Sequence, residues 1–480
     1  MDMEEKKYTF PLVILTGLFF IWGFITCLND MLIPYFKSVF ELSNFQANLV
    51  QFAFFTAYFV ISLIYFLVSR HIGDPIDKVG YKNAIIAGLL TSTAACLIFF
   101  QEAGSMTPSF PIFLLALFLL GTGFTFLQIS ANPLVSMLGT PETSSSRLNL
   151  SQGFNSLGTT IAPIVGSYVI FNFFNDSDPY RGGAQAVQIP YLALACILLF
   201  LAVTIFLSEI PDMRNHKKED EGDEKMLDSD TSVSIVISGT VSKAKKSALE
   251  YPHLVFGMFA IFFYVGGEVT IGSNLVTYMK ECVGITEEFT AGRFLAFYWG
   301  GAMIGRFVGS LSMSNIDSVK KYSLMAGVAI AGFFLIYTIT NFDLMTLLPF
   351  IGYMVLNYWA FISAKSVPSR TLGIFATINI VLLTAMLLFE GMISLWCILA
   401  VGLFNSIMFS NVFTLAIKEL EEHTAQGSSL LVMMILGGAV VPPLQGLLAD
   451  NIGVHMAFAL PIVCYVYLMW YGFKGCTIRK

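Results

Sequence analysis

From end to end the chain alternates apolar runs with short polar breaks, and each run reaches the ~20 residues a helix needs to cross ~30 Å of hydrocarbon. Strands of a membrane barrel would instead appear as ~10-residue stretches of alternating polarity, a pattern the sequence does not carry. The runs predict helices at 10–35, 46–69, 83–101, 110–137, 150–174 and 187–209, then at 253–279, 291–313, 322–341, 344–363, 371–389, 392–417, 427–449 and 455–474. Six lie before and eight after a polar stretch at about 210–250, rich in charge and serine and poor in aromatics. That composition reads as a flexible linker with a short helix near its end. The fold class is an all-α polytopic membrane protein of about 14 segments.

Polar residues inside these runs share helix faces. Trp22, Thr26, Asn29 and Asp30 stand at i, i+4, i+7 and i+8 of the first run. Tyr58, Ser62 and Tyr65 line the second, Thr125, Gln128 and Asn132 the fourth, and Asn149, Gln152, Asn155, Ser156 and Thr159 the fifth. Tyr264 and Glu268 are one turn apart in the first run after the linker. A carboxylate at the bilayer centre costs ~2.5–3.5 kcal/mol, so Asp30 and Glu268 are expected to face a cavity. Asp30 stands late in its helix, which leaves a capping role near the outer mouth open. Serine and threonine alone read as interhelical hydrogen bonds, worth ~0.6 kcal/mol on average. Amides both donate and accept, which suits a polyhydroxylated ligand, and Trp22 offers an apolar face to a pyranose ring. Arg306, in "IGRFVG", is placed in the cytoplasmic half of its segment, where it can snorkel or pair with a carboxylate in a structural or gating role. Glu390 falls in a short outer turn and reads as solvated.

Composition narrows the classes. The 480 residues are 56% hydrophobic and 12% charged with a mean hydropathy of +0.74, against about 25% charged for soluble domains. The net charge of −6 is confined to loops and says little about partners. Seven cysteines show no CxxC pair and read as small core residues, and five histidines lie at loops or segment ends. No nucleophile–base pair, metal cluster or nucleic-acid-binding surface is legible, so neither an enzyme nor a bound cofactor is expected. The first run is too long for a cleavable signal, contains Trp22 and Asp30, and lacks a small-residue cleavage site.

Basic residues orient the bundle. With the N-terminus inside, about 21 of the 26 lysines and arginines fall in inner loops, the linker or the C-terminal tail. Both termini and the linker are therefore expected in the cytoplasm, in a cell (inner) membrane. The two parts of the chain also echo each other. "LGTTIAP", Leu157 to Pro163, matches "LGGAVVP", Leu436 to Pro442, in the spacing of Leu-Gly and Pro, and Phe10-Pro11 matches Tyr251-Pro252. Parallel repeats of this kind predict two six-helix halves, 1–209 and 251–480, joined by the linker 210–250. The surplus pair in the second half is assigned to a peripheral hairpin at about 322–363.

The loop "GDPIDKVGYK" carries Gly73, Asp77, Lys78 and Gly80 in a gate-like pattern. Its glycines allow a tight turn, and Asp77 can cap a helix or hold an opening salt bridge. The spacing resembles the signature between segments 2 and 3 of the major facilitator superfamily, with Tyr81 where a basic residue is usual. The runs "FFIWGFITCLNDMLIPYFK", "QISANPLVSMLG", "SRLNLSQGFNSLGTTIAP" and "GSSLLVMMILGGAVVPPLQG" resemble the fucose–proton symporter family over nearly the whole chain. The resemblance implies inward sugar transport driven by a cation gradient, with a segment-1 carboxylate matching Asp30 and sugar contacts matching Gln152 and Asn155. Fucose carriers of the family have a glutamate where this chain has Gln128; here the second carboxylate is Glu268, an arrangement resembling the glucose/galactose branch.

The expectation is a hexose symporter for glucose or galactose, coupled to Na+ or H+ through Asp30 and Glu268. Its sugar path runs along Gln128, Asn132, Gln152, Asn155 and, more weakly, Asn29 and Asn405. It works in the lipid bilayer as a monomer. A deoxyhexose–proton symporter is the alternative transporter; a non-transporting sugar sensor is the alternative of another class, and the linker is too small for its signalling domain.

Overall fold

The computed structural model describes residues 3–42, 44–167, 187–210 and 247–478. Among them the chain is a bundle of helices without strands. The first part contains α1 (Met3–Val39), α2 (Asn44–Ile72), the short α3 (Pro75–Val79), α4 (Tyr81–Ala103), α5 (Phe110–Met137), α6 (Ser144–Ser167) and α7 (Gln188–Leu207). After the linker come α8 (Pro252–Tyr278), α9 (Glu288–Ser312), α10 (Ser318–Thr340), α11 (Leu344–Ala364), α12 (Pro368–Leu388), α13 (Gly391–Asn405) and α14 (Met408–Ala416). The chain closes with α15 (Thr424–Met433), α16 (Gly437–Ile452), α17 (Val454–Ala457) and α18 (Ala459–Trp470). Most of the linker lies outside the described residues; its end forms a single turn at Ala248–Glu250 capped by Ser247.

Among the described residues twelve stretches are long and apolar enough to cross a membrane. Helices α6 and α9, at the segments predicted at 150–174 and 291–313, are not among them. They are 24 and 25 residues long but carry Asn149, Gln152, Asn155 and Arg306, which dilute their apolar character. The predicted segments at 392–417 and 427–449 each contain a break. The first is interrupted between Asn405 and Met408, the second by a 3-10 turn at Met434–Leu436. Just past that turn Gly437 lies so close to α8 that an added Cβ would stand 2.0 Å from the Phe262 carbonyl oxygen.

Local chemistry explains the ends. Asp74 caps α3, its side chain accepting from the Ile76 N–H at 3.1 Å, with Pro75 in the first turn where a missing N–H is harmless. Gly80 then turns the chain into α4 at φ 92°, a left-handed conformation that favours glycine. Asp317 caps α10 through the Val319 N–H at 3.2 Å, and Asn341 ends that helix at φ 49°.

The two halves pack together through α6, which lies against α9 and α14, and through α15, which lies against α2 and α5. Helices α10 and α11 rest on α9, α12 and α13 and bury the smallest share of their surfaces. Their outward faces are apolar, with Phe334, Met345, Val355 and Trp359 all more than half exposed.

Candidate functional site

Where α1, α2, α5 and α6 of the first half face α8, α9 and α14 of the second, they enclose a cavity of about 190 Å³. The helical register of the sequence brings Gln128, Gln152, Asn155 and Glu268 to its wall together. Trp22 and Thr26 line it from α1 and Tyr58 from α2. The Tyr58 hydroxyl is within hydrogen-bonding reach of the Gln128 and Trp22 side chains. Asn155 uses one amide proton on the Phe19 carbonyl at 3.0 Å. Sequence reasoning missed Phe54, Phe55, Phe409 and Ile435, which complete the wall with apolar and aromatic surface. They are apolar residues in apolar helices, so nothing in composition or spacing singles them out.

Glu268 is the centre of charge. Its Oε1 accepts from the Tyr264 hydroxyl at 2.7 Å and faces Arg306 Nη2 at 3.6 Å. Both residues of the ion pair are 9% exposed. Of the two roles open to it, Arg306 pairs with a carboxylate and lines the central cavity instead of snorkelling. Glu268 supplies a countercharge and three further acceptors take up its N–H groups. Nε donates to the Ser406 carbonyl at 3.1 Å and Nη1 to the Gln152 carbonyl at 3.3 Å and to the Ser156 hydroxyl. Arg306 thus bonds α6 in the first half while paired with α8 in the second.

Behind this pair stands a hydrogen-bonded back wall. The Tyr298 hydroxyl donates to the main-chain carbonyl of Glu268 at 2.9 Å. Asn405 donates to Tyr298 at 2.9 Å, and its Oδ1 accepts from Tyr465 at 2.7 Å and from Asn379 at 2.9 Å. Asn405, expected on the sugar path, is therefore fully buried behind Glu268 and bonded through both amide atoms. Asn132 is also away from the cavity: it is fully buried, and neither amide atom finds a partner among the described residues. Asn29 and Asp30 fall within α1, but their side chains lie outside the described residues.

The gate-like loop occupies the end of the bundle that also carries the linker. Gly73 and Gly80 take positive φ angles of 80° and 92°. Lys78 donates to the Ile72 carbonyl at 2.5 Å. The capping role foreseen for Asp77 belongs to Asp74, because Pro75 fixes the helix start one residue after it; Asp77 is exposed in the first turn of α3. Asp74 also accepts from the Tyr65 hydroxyl. Burial pushes its carboxyl above the usual aspartate range, outweighing the Tyr65, Ile76 and Gln426 donors that favour the charged form.

A cavity with an apolar ring-sized face, convergent amides and one paired carboxylate is suited to a small polyhydroxylated molecule. A cavity of ~150 Å³ accepts a single six-membered ring, so about 190 Å³ fits a monosaccharide in size. Among the described residues no group of three or more His, Cys, Asp or Glu is arranged to hold a metal ion.

Residues 14–364 match the family model of the Major Facilitator Superfamily. The chain is 39% identical over 473 residues to a glucose/galactose transporter of Brucella abortus, covering 98% of this chain and 95% of that one. It is 27% identical over 481 residues to an L-fucose-proton symporter of Escherichia coli, covering 97% and 93%. The crystal structure of FucP, a fucose:proton symporter of Escherichia coli, in the outward conformation superposes with a TM-score of 0.71 at 26% identity, covering 98% of this chain and 99% of that one.

Proposed function

The chain belongs to the Major Facilitator Superfamily, and we propose that within it the protein imports a hexose, glucose or galactose, in symport with Na+ or H+. The observation that carries this reading is the central cavity, where Glu268 of the second half meets Gln128, Gln152 and Asn155 of the first. Ring hydroxyls are bound by the amides, and the sugar's apolar face lies on Trp22 and the phenylalanines. The name of the Brucella relative favours glucose or galactose over fucose, as does the amide at position 128.

In this reading Glu268 and Asp30 are the coupling groups. Arg306 holds Glu268 as an anion while the halves are joined; a proton or sodium ion at the carboxylate weakens that pairing and frees Arg306. The halves, 1–209 and 251–480, then rock about the fixed site, and the Gly73–Gly80 loop moves with them. The linker 210–250 and both termini lie in the cytoplasm of a cell with this protein in its inner membrane, by the distribution of basic residues. No cofactor beyond the coupling ion is required, and one chain contains the whole cavity.

Counterflow of a labelled hexose panel into proteoliposomes, with sodium and pH gradients imposed separately, tests the reading. Glucose or galactose exchange driven by one gradient supports it; exchange of fucose alone replaces it with the deoxyhexose alternative. Glu268→Gln should abolish accumulation while sparing exchange. Adding Gln128→Glu to that variant should restore part of the concentrative uptake, because a carboxylate returns to the same cavity.

A further inference from the structure

The repeat that begins Leu157-Gly158 in the first half and Leu436-Gly437 in the second sets the halves in register. Counting back equal distances from each pairs Asn149 with Ser428, Asn132 with Asn411, Ser145 with Thr424 and Val135 with Thr414. The packing follows the same exchange: α6 lies on α14, and its counterpart α15 lies on α5. Two seams between the halves, both toward the linker end of the bundle, are thus related by the repeat.

Their chemistry differs. In the α6–α14 seam Asn149 Nδ2 donates to Asn411 Oδ1 at 3.2 Å, and the Ser145 and Thr414 hydroxyls are 2.7 Å apart. Ser146 of the same helix donates to the Ser310 carbonyl of α9 at 2.7 Å. Asn411 is further tied to the Pro368 carbonyl at 3.1 Å. In the α5–α15 seam the repeat puts Ser428 in the place of Asn149 and Val135 in the place of Thr414. Both amide atoms of Asn132 and the hydroxyl of Ser428 are fully buried and lack partners among the described residues. The ties on this side come from Gln426: its Nε2 donates to Ser69 Oγ at 3.0 Å, from α15 to α2, and its backbone N–H faces the Asp74 carboxyl. A serine side chain ends one bond beyond Cβ and cannot reach as the amide of an asparagine does.

We propose that the α5–α15 seam is the edge at which the linker-side gate opens first, with the α6–α14 seam as its hinge, and that Ser428 sets how readily it opens. Opening the bonded seam breaks hydrogen bonds already made, and there Asn149 Oδ1 alone of the Asn149–Asn411 and Ser145–Thr414 pairs is without a partner among the described residues. Opening the other wets groups whose hydrogen bonds are unmade, so water stabilises the open form. The inference rests on the reading of the protein as an alternating-access carrier but not on which sugar it carries.

The test is a distance measurement without sugar, on the full chain in nanodiscs, with spin labels at Val79 and Glu422 across the α5–α15 side and at Glu142 and Glu419 across the other. Ser428→Asn completes the second clamp and should raise the ratio of closed to open form at Val79–Glu422 about fivefold, the effect of one net hydrogen bond. Asn149→Ser should lower that ratio at Glu142–Glu419 by a similar factor. Exchange of sugar should slow in the first variant. If Ser428→Asn does not insert, Asn132→Leu, which removes the unpaired amide, should raise the closed fraction at Val79–Glu422 in the same direction. Unchanged distance distributions in folded Ser428→Asn or Asn132→Leu protein overturn the proposal, as does an opening that begins at Glu142–Glu419. A failure of hexose uptake with the distance shifts intact would overturn the sugar assignment and leave this inference standing.

Discussion

Arg306 and Glu268 should be strongly and unequally coupled. In Glu268→Gln the guanidinium keeps the Ser406 and Gln152 carbonyls and the Ser156 hydroxyl, so the loss is one charge-assisted contact. At 3.6 Å that contact is long, which places the loss near the lower end of the usual range, about 1.5 kcal/mol. In Arg306→Met the carboxylate keeps only the Tyr264 donor, and stranding a buried charge costs about 3–5 kcal/mol. The double variant strands neither, so its loss should fall short of the sum of the single losses by at least about 2 kcal/mol. Unfolding of the four proteins in mixed detergent micelles, followed by tryptophan fluorescence, measures the cycle. Additive losses within about 0.5 kcal/mol, or an Arg306→Met protein more stable than Glu268→Gln, would refute the assignment of Arg306 as the countercharge.

Asp30→Asn should abolish gradient-driven accumulation in a protein that still inserts; full accumulation would return Asp30 to a capping role. Removing α10 and α11 together and rejoining the chain should leave sugar binding and the side on which cysteine labels find the C-terminus unchanged; loss of binding in a stably inserted deletion would put the hairpin at the site. The raised Asp74 carboxyl binds a proton more readily folded than unfolded, so its contribution to stability is present in acid and is lost as pH rises from the usual aspartate value of about 4 through the raised one. Asp74→Asn, which can still accept the Ile76 N–H, should remove that slope and hold stability at neutral pH; a slope unchanged in unfolding curves taken from pH 4 to 8 would rule the group out.

The all-helical fold and the order of its helices were legible because lipid demands long apolar runs with internally satisfied backbones. The same periodicity placed Gln128, Gln152, Asn155 and Glu268 on one cavity, since a polar face in a membrane helix has few other places to go. Which of its two open roles Arg306 takes was not legible, because sequence position gives depth along a helix, whereas its partners come from α6, α8 and the turn after α13. Asn405 and Asn132 show the limit of the polar-face argument: both are inward-facing, yet one supports the back wall and the other sits in a seam between halves. The aromatic wall and the broken helices were invisible, because Phe54 and Phe409 look like any core residue and the turn at Met434–Leu436 depends on how closely Gly437 meets α8.

Arg306 holds the main-chain oxygens of Gln152 and Ser406, and Tyr298 holds that of Glu268. A carbonyl persists whatever side chain the position carries. The amide of Gln152 can therefore change in evolution without loosening the strut that its own carbonyl anchors. In the proposed reading, sugar choice and conformational machinery share a residue but not an atom, so selection can retune one while leaving the other intact. Hexose and deoxyhexose carriers can diverge on such a frame by exchanging cavity side chains, with no need to rebuild the way the halves are joined.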